Sequence, residues 1–107
     1  MHFDKVGFIG LGLIGGSIAR KMKENNPKVS IIATAGHQQT IEDAFELGLI
    51  DNNELLELNS FKDCDVIFLC APVNKNIEYL TQLKDIIKDD CIITDVAAPK
   101  PRFTKRL

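Results

Sequence analysis

The tightest constraint in this chain is the spacing of three glycines near its start. Val6-Gly7-Phe8-Ile9 is a short apolar run that leads into Gly10-Leu11-Gly12-Leu13-Ile14-Gly15-Gly16-Ser17. Gly10, Gly12 and Gly15 have the spacing G-x-G-x-x-G, and Ile14, Ile18, Ala19 and Met22 then recur at a helical period up to Asn25. A strand, a glycine turn and a helix in that order form a unit in which each glycine has its own task. Gly10 permits the tight turn out of the strand. Gly12 has no Cβ, so another molecule can come close to the backbone, and Gly15 lets the helix lie tightly on the sheet.

The turn ends at a helix N-terminus, where free N–H groups and about half a unit of positive dipole charge favour phosphate. Gly10, Gly12, Leu13, Ile14 and Gly15 are therefore the expected cradle for the pyrophosphate of NAD or NADP.

The rest of the chain supports a parallel sheet. The first helix stops at Asn25-Asn26-Pro27, and Val29 to Ala33 is a second β-branched run. Thr40 to Leu47 repeats the helical period through Ile41, Ala44, Phe45 and Leu47, with Gly48 as C-terminal cap. Leu49 to Phe61 lacks a clear period; a short edge strand and a helical turn over Glu54 to Leu58 are the expectation there. Val66 to Cys70 is a further buried strand closed by Ala71-Pro72. Asn76 to Ile87 is helical, with Ile77, Leu80, Leu83 and Ile87 on one face, and Cys91 to Thr94 is the last strand. Continuous apolar strands separated by helices call for a sheet covered on both sides. The expected fold class is α/β, a Rossmann-type doubly wound parallel sheet of about five strands in the order 3-2-1-4-5, with helices on both faces.

Composition narrows the partners. The chain has 107 residues and a formal net charge of −2, which argues against nucleic acid and anionic membranes. Cys64, Cys70 and Cys91 match no metal or redox spacing. They read as small buried hydrophobes in a reducing compartment, and without a visible signal peptide the expected location is cytoplasmic. Residues 1–96 form the expected domain. Residues 97–107, with two prolines and four basic residues, read as a linker or poorly ordered tail.

At the end of the second strand an NAD-specific domain usually carries an acid that binds the ribose 2′-hydroxyl. This chain reads Ala33-Thr34-Ala35-Gly36-His37-Gln38, with Ala35 where the acid would stand. Thr34, Ala35 and His37 are the expected ribose-facing set. Nothing here repels a 2′-phosphate, and Thr34, His37 or Gln38 offer donors to it, yet no Arg stands by to meet it. NAD and NADP both remain open at this point.

Gly10-Leu11-Gly12-Leu13-Ile14-Gly15-Gly16-Ser17 resembles the fingerprint of the prephenate and arogenate dehydrogenases of tyrosine biosynthesis. The likeness continues through Ala44-Phe45-Glu46-Leu47-Gly48-Leu49-Ile50-Asp51, Ala71-Pro72-Val73 and Asp95-Val96. It implies an oxidoreductase that decarboxylates prephenate or arogenate while passing a hydride to the nicotinamide. It also implies that Cys70, Ala71 and Pro72 line the cofactor beside its ribose and nicotinamide, with Asn76 near the adenine. Two other classes share parts of the pattern. One is a non-enzymatic nucleotide-sensing module; the other is the cofactor domain of a β-hydroxyacid dehydrogenase or pyrroline carboxylate reductase. Their match to Leu13-Ile14-Gly15-Gly16-Ser17 and Ala71-Pro72-Val73 is poorer.

Two departures qualify the resemblance. After the last strand the family usually reads Asp-x-Gly-Ser-x-Lys, and this chain reads Asp95-Val96-Ala97-Ala98-Pro99-Lys100. The family's catalytic histidine segment, Gly-Gly-His-Pro-Met, is absent, and neither His2 nor His37 replaces it. The expectation is a cofactor-binding part cut before its catalytic half, holding cofactor without turnover. Its last strand, residues 91–95, would then be an edge open to self-association.

Overall fold

The computed structural model describes residues 3–96, and the tail from Ala97 to Leu107 lies outside them. Four strands form one parallel sheet: β1 (Lys5–Ile9), β2 (Ser30–Thr34), β3 (Val66–Leu69) and β4 (Ile92–Asp95), in the order β2-β1-β3-β4. Three α-helices connect them: α1 (Leu13–Asn25), α2 (Gln38–Glu46) and α3 (Val73–Leu83), with a 3-10 turn at Leu58–Phe61. Val6 aligns with Ile31 and Val66, and Val66 with Ile92, so apolar rows cross the sheet in register.

Because side chains alternate along a strand, each strand feeds both sides. Val6, Phe8, Ile31, Ala33 and Val66 form one buried cluster with Ala19 of α1 and Ile41 and Ala44 of α2. Phe68 stacks on Phe8 at a centroid distance of 5.0 Å on that side. Ile9, Ile67, Leu69 and Ile93 form the other cluster with Phe61, Cys64, Leu83 and Ile87. Phe61 packs against β1, so near that a Cβ on Gly7 would come to 2.5 Å from its ring.

The expected third edge strand is not formed. Its place is taken by Asp51 and Asn52, which complete the outer edge of β2 mostly through their side chains. Asp51 donates its N–H to the Ile31 carbonyl (2.7 Å) and accepts the Ile31 N–H on Oδ2 (2.7 Å). Asn52 does the same to Ala33 with its side-chain amide, both bonds being 2.9 Å. The β2 edge thus receives a ladder's worth of hydrogen bonds from two residues. Lys23 holds Asp51 there at 3.0 Å while also bonding the Val29 carbonyl.

Other boundaries move for physical reasons. The expected helical turn at Glu54 to Leu58 is instead the 3-10 turn at Leu58–Phe61, drawn to the core by Phe61. The third helix begins earlier and ends earlier than the apolar stripe predicted. Ile77 is 62% exposed, and the buried position beside it belongs to Asn76. Phe45 of α2 and Leu47, at its C-cap, are also exposed, leaving Ile41 and Ala44 as the core residues of the helix. Gly48 does adopt the left-handed conformation of a cap, with φ of 76°. Cys64 and Cys91 are buried and Cys70 only half-buried; all three are free thiols.

Candidate functional site

Parallel sheets place ligands at the carboxyl ends of their strands, where the chain switches direction. Here that rim is made by the β1–α1 turn, the end of β2, the β3–α3 turn and the end of β4. β1 lies between β2 and β3, so the helices that follow β1 and β3 leave on opposite faces.

The three fingerprint glycines answer to different neighbours. Gly10 has φ of 81°, and a Cβ there would meet the Ala71 nitrogen and Cβ at 2.8 Å. A Cβ on Gly15 would press on the Cys70 sulfur and on Leu11, each at 3.2 Å. Gly10 is therefore required by the protein's own backbone, and Gly15 is closely fitted by side chains that would have to give way. Gly12 is under neither constraint. Its φ of −139° suits any residue, and a Cβ there would meet nothing within 4 Å among the described residues. The chain leaves a bare, open backbone at the start of α1.

That helix start is also electrically receptive. Its first turn contains no acidic residue, and no side chain caps it. The first intrahelical bond runs from the Gly16 N–H to the Gly12 carbonyl at 2.7 Å, so the earlier N–H groups of the turn have no helical acceptor. Gly10 and Leu11 both donate to the Thr34 carbonyl, at 2.8 and 3.1 Å, which ties the glycine turn to the end of β2. Ile14, next in the helix, is largely exposed.

At the end of β2, Thr34 and Ala35 are half-buried and His37 is exposed as the first flank of α2, making no capping bond. Gln38 is committed elsewhere. Its amide donates to Glu42 and to the Asn53 carbonyl, both at 3.0 Å, and its oxygen accepts the Leu55 N–H at 3.1 Å. Both amide hydrogens have acceptors inside the protein, so Gln38 is not the free donor that the sequence offered. Gly36, like Gly12, is a position where a Cβ would meet nothing within 4 Å among the described residues.

At the end of β3, Cys70 and Ala71 are half-buried and Pro72 is exposed at the start of α3. Burial, with a smaller push from the Asp95 carboxylate, raises the Cys70 thiol to about 12. Its thiol is therefore neutral at physiological pH. Asn76 lies beneath this turn, only 1% exposed, with its amide engaged to Ala71 and Asp95. The resemblance put it near the adenine; the structure puts its polar atoms inside the protein.

A groove of about 310 Å³ runs between α1 and α2, with Ser17, Arg20, Thr40 and Asp43 in its walls. It shares Leu11 and Gly12 with the rim but contains neither Thr34 nor Ala71. No helix among the described residues is long and apolar enough to cross a membrane.

A parallel sheet with a glycine turn opening its first helix at the carboxyl rim is a Rossmann-like α/β domain. Residues 18–107 match the nucleotide-binding domain of prephenate dehydrogenase, and the chain belongs to that family. The prephenate dehydrogenase of Bacillus subtilis is 32% identical over 100 residues, covering 92% of this chain and 27% of that protein. The Lactococcus lactis prephenate dehydrogenase is 34% identical over 103 residues, covering 94% of this chain and 28% of the relative. The chain thus spans between a quarter and a third of the length of these relatives. Among solved structures, Synechocystis arogenate dehydrogenase superposes with a TM-score of 0.76 at 33% identity, over 87% of this chain and 32% of that one. The Aquifex aeolicus prephenate dehydrogenase, solved with hydroxyphenyl propionate and NAD+, gives 0.77 at 26% identity, over 89% and 34%.

Proposed function

We propose that this chain holds NAD or NADP at the rim just described and serves as the cofactor part of a prephenate or arogenate dehydrogenase-like oxidoreductase. The observation that carries the reading is Gly12. A glycine kept where neither its backbone angles nor its neighbours demand one, at an uncapped helix start, is suited to the approach of a pyrophosphate. The N–H groups from Leu13 to Gly15 receive the phosphates, Gly10 and Gly15 fix the turn, and Thr34, Ala35 and His37 face the adenosine ribose. Cys70, Ala71 and Pro72 wall the nicotinamide side. When bound, the dinucleotide supplies the hydride acceptor for an oxidative decarboxylation.

The end of β2 favours NAD over NADP. With Gln38 committed to Glu42, Asn53 and Leu55, and no Lys or Arg between Thr34 and Thr40, a 2′-phosphate would gain no cationic partner there. The test is a fluorescence titration of the 107-residue chain with NADH and NADPH. Saturable binding of both, with NADH tighter, is expected, and prephenate and arogenate should not be turned over by this chain alone. No binding of either dinucleotide by the folded chain would end the reading.

A further inference from the structure

A polar side chain fully buried in the second turn of a helix is costly unless every polar atom is used. Asn76 of α3 occupies such a position, and an apolar residue there would have extended the stripe of Leu80, Leu83 and Ile87. Its oxygen accepts the Ala71 N–H at 3.2 Å. Its nitrogen donates to the Ala71 carbonyl at 2.7 Å and to Asp95 Oδ1 at 3.0 Å, with the Leu69 carbonyl at 3.3 Å. Asp95 is itself 96% buried, since only 4% of it is exposed, at the last position of β4. One amide therefore grips both polar atoms of Ala71 and ties them to the neighbouring strand.

Ala71 is also the residue that sits against Gly10. The lateral connections at the rim thus run from the Thr34 carbonyl to Gly10 and Leu11, across the Gly10–Ala71 contact, and through Asn76 to Asp95. All four strand ends are joined. Main-chain bonds from the Cys70 N–H to the Ile9 carbonyl (2.8 Å) and from the Val96 N–H to the Leu69 carbonyl (3.1 Å) also link neighbouring strands. Asn76 adds the side-chain tie that fixes Ala71 itself to Asp95. This is not helix capping: Pro72 flanks α3 without a side-chain bond, and Asn76 reaches back five and seven residues to the turn.

We propose that Asn76 is a positioning residue that sets the height of the Cys70-Ala71-Pro72 turn opposite the glycine turn, so that tight dinucleotide binding depends on it without its touching the cofactor. The inference rests on the nucleotide-binding reading above. It makes the nicotinamide riboside half of the ligand, on the β3 side, more sensitive than the adenosine half, on the β2 side.

The test is Asn76→Ser, whose hydroxyl is too short to span Ala71 and Asp95. In the folded variant, NADH affinity should fall about tenfold, the scale of one lost buried hydrogen bond, while ADP affinity changes by less than about twofold. Unchanged NADH affinity, or an equal loss for both ligands, overturns the proposal, because a merely structural role weakens both alike. If Asn76→Ser does not fold, amide hydrogen exchange on the unaltered chain decides. The Ala71 N–H should already be protected without ligand, and protection that arises only with NADH overturns the proposal. If the unaltered chain binds neither NADH nor ADP, the nucleotide reading fails first and takes this inference with it.

Discussion

The two turns that face each other at the rim are built on opposite plans. The β1–α1 turn is held by main chain alone, through two N–H bonds to Thr34, and is left bare at Gly12. The β3–α3 turn is tied to β1 by the Cys70 N–H, at 2.8 Å from the Ile9 carbonyl, but the polar groups of Ala71 at its centre are held by one buried side chain, Asn76. The first exposes backbone to the outside; the second draws its backbone polar groups inward. The difference shows how a crevice gains both reach and rigidity: missing side chains give access on one wall, and an internal amide fixes the other.

The largest effect should come where the two turns touch. Gly10→Val places a branched side chain at φ of 81° and against the Ala71 backbone. Strain and overpacking together should cost about 3 kcal/mol or more, read by urea unfolding. A loss below about 1 kcal/mol would mean the turns are not in fixed contact. Gly12→Val is the contrasting case. It should change stability by no more than about 1 kcal/mol yet weaken NADH at least about tenfold, since its cost falls on the ligand. Equal stability losses at positions 10 and 12 would erase the distinction between a glycine needed by the fold and one needed by a ligand.

A smaller effect sharpens the contact further along. Gly15→Ala crowds the Cys70 sulfur, so Cys70→Ala should relieve it, with a coupling of about 0.5–1 kcal/mol in a double-mutant cycle. The smallest effect belongs at the opposite end of the sheet. There Asp65 accepts bonds from Lys88, at 2.6 Å, and from the Asp4 and Lys5 N–H groups. The Lys88 hydrogen bond, chiefly, holds the Asp65 carboxyl below its usual range. A lowered carboxyl stabilises the fold above its ordinary pKa, and that stability is lost as the pH falls. Asp65→Asn should therefore cost a few tenths to about 1 kcal/mol at neutral pH, with the difference fading below about pH 4 and NADH affinity unaltered.

The central strands and the glycine turn were legible because their signals are local. Val6 to Ile9, Val29 to Ala33, Val66 to Cys70 and Cys91 to Thr94 are apolar runs, and each falls within a residue or two of an observed strand. The segment from Asp51 to Phe61 was not legible, for a physical reason. Asp51 and Asn52 meet strand backbone 20 and 19 residues away, respectively, through their side chains, and such contacts leave no period in the sequence. The burial of Asn76 left no signal in the sequence for a related reason. A polar residue on an otherwise apolar helix reads as surface unless its partners, here Ala71 and Asp95, are known. Phe61 against Gly7 was equally invisible, since the pairing joins a glycine outside the fingerprint to a turn without periodicity.

The sealed flank of β2 has a topological consequence. With the outward groups of Ile31 and Ala33 already taken by Asp51 and Asn52, a newcomer strand finds no template there.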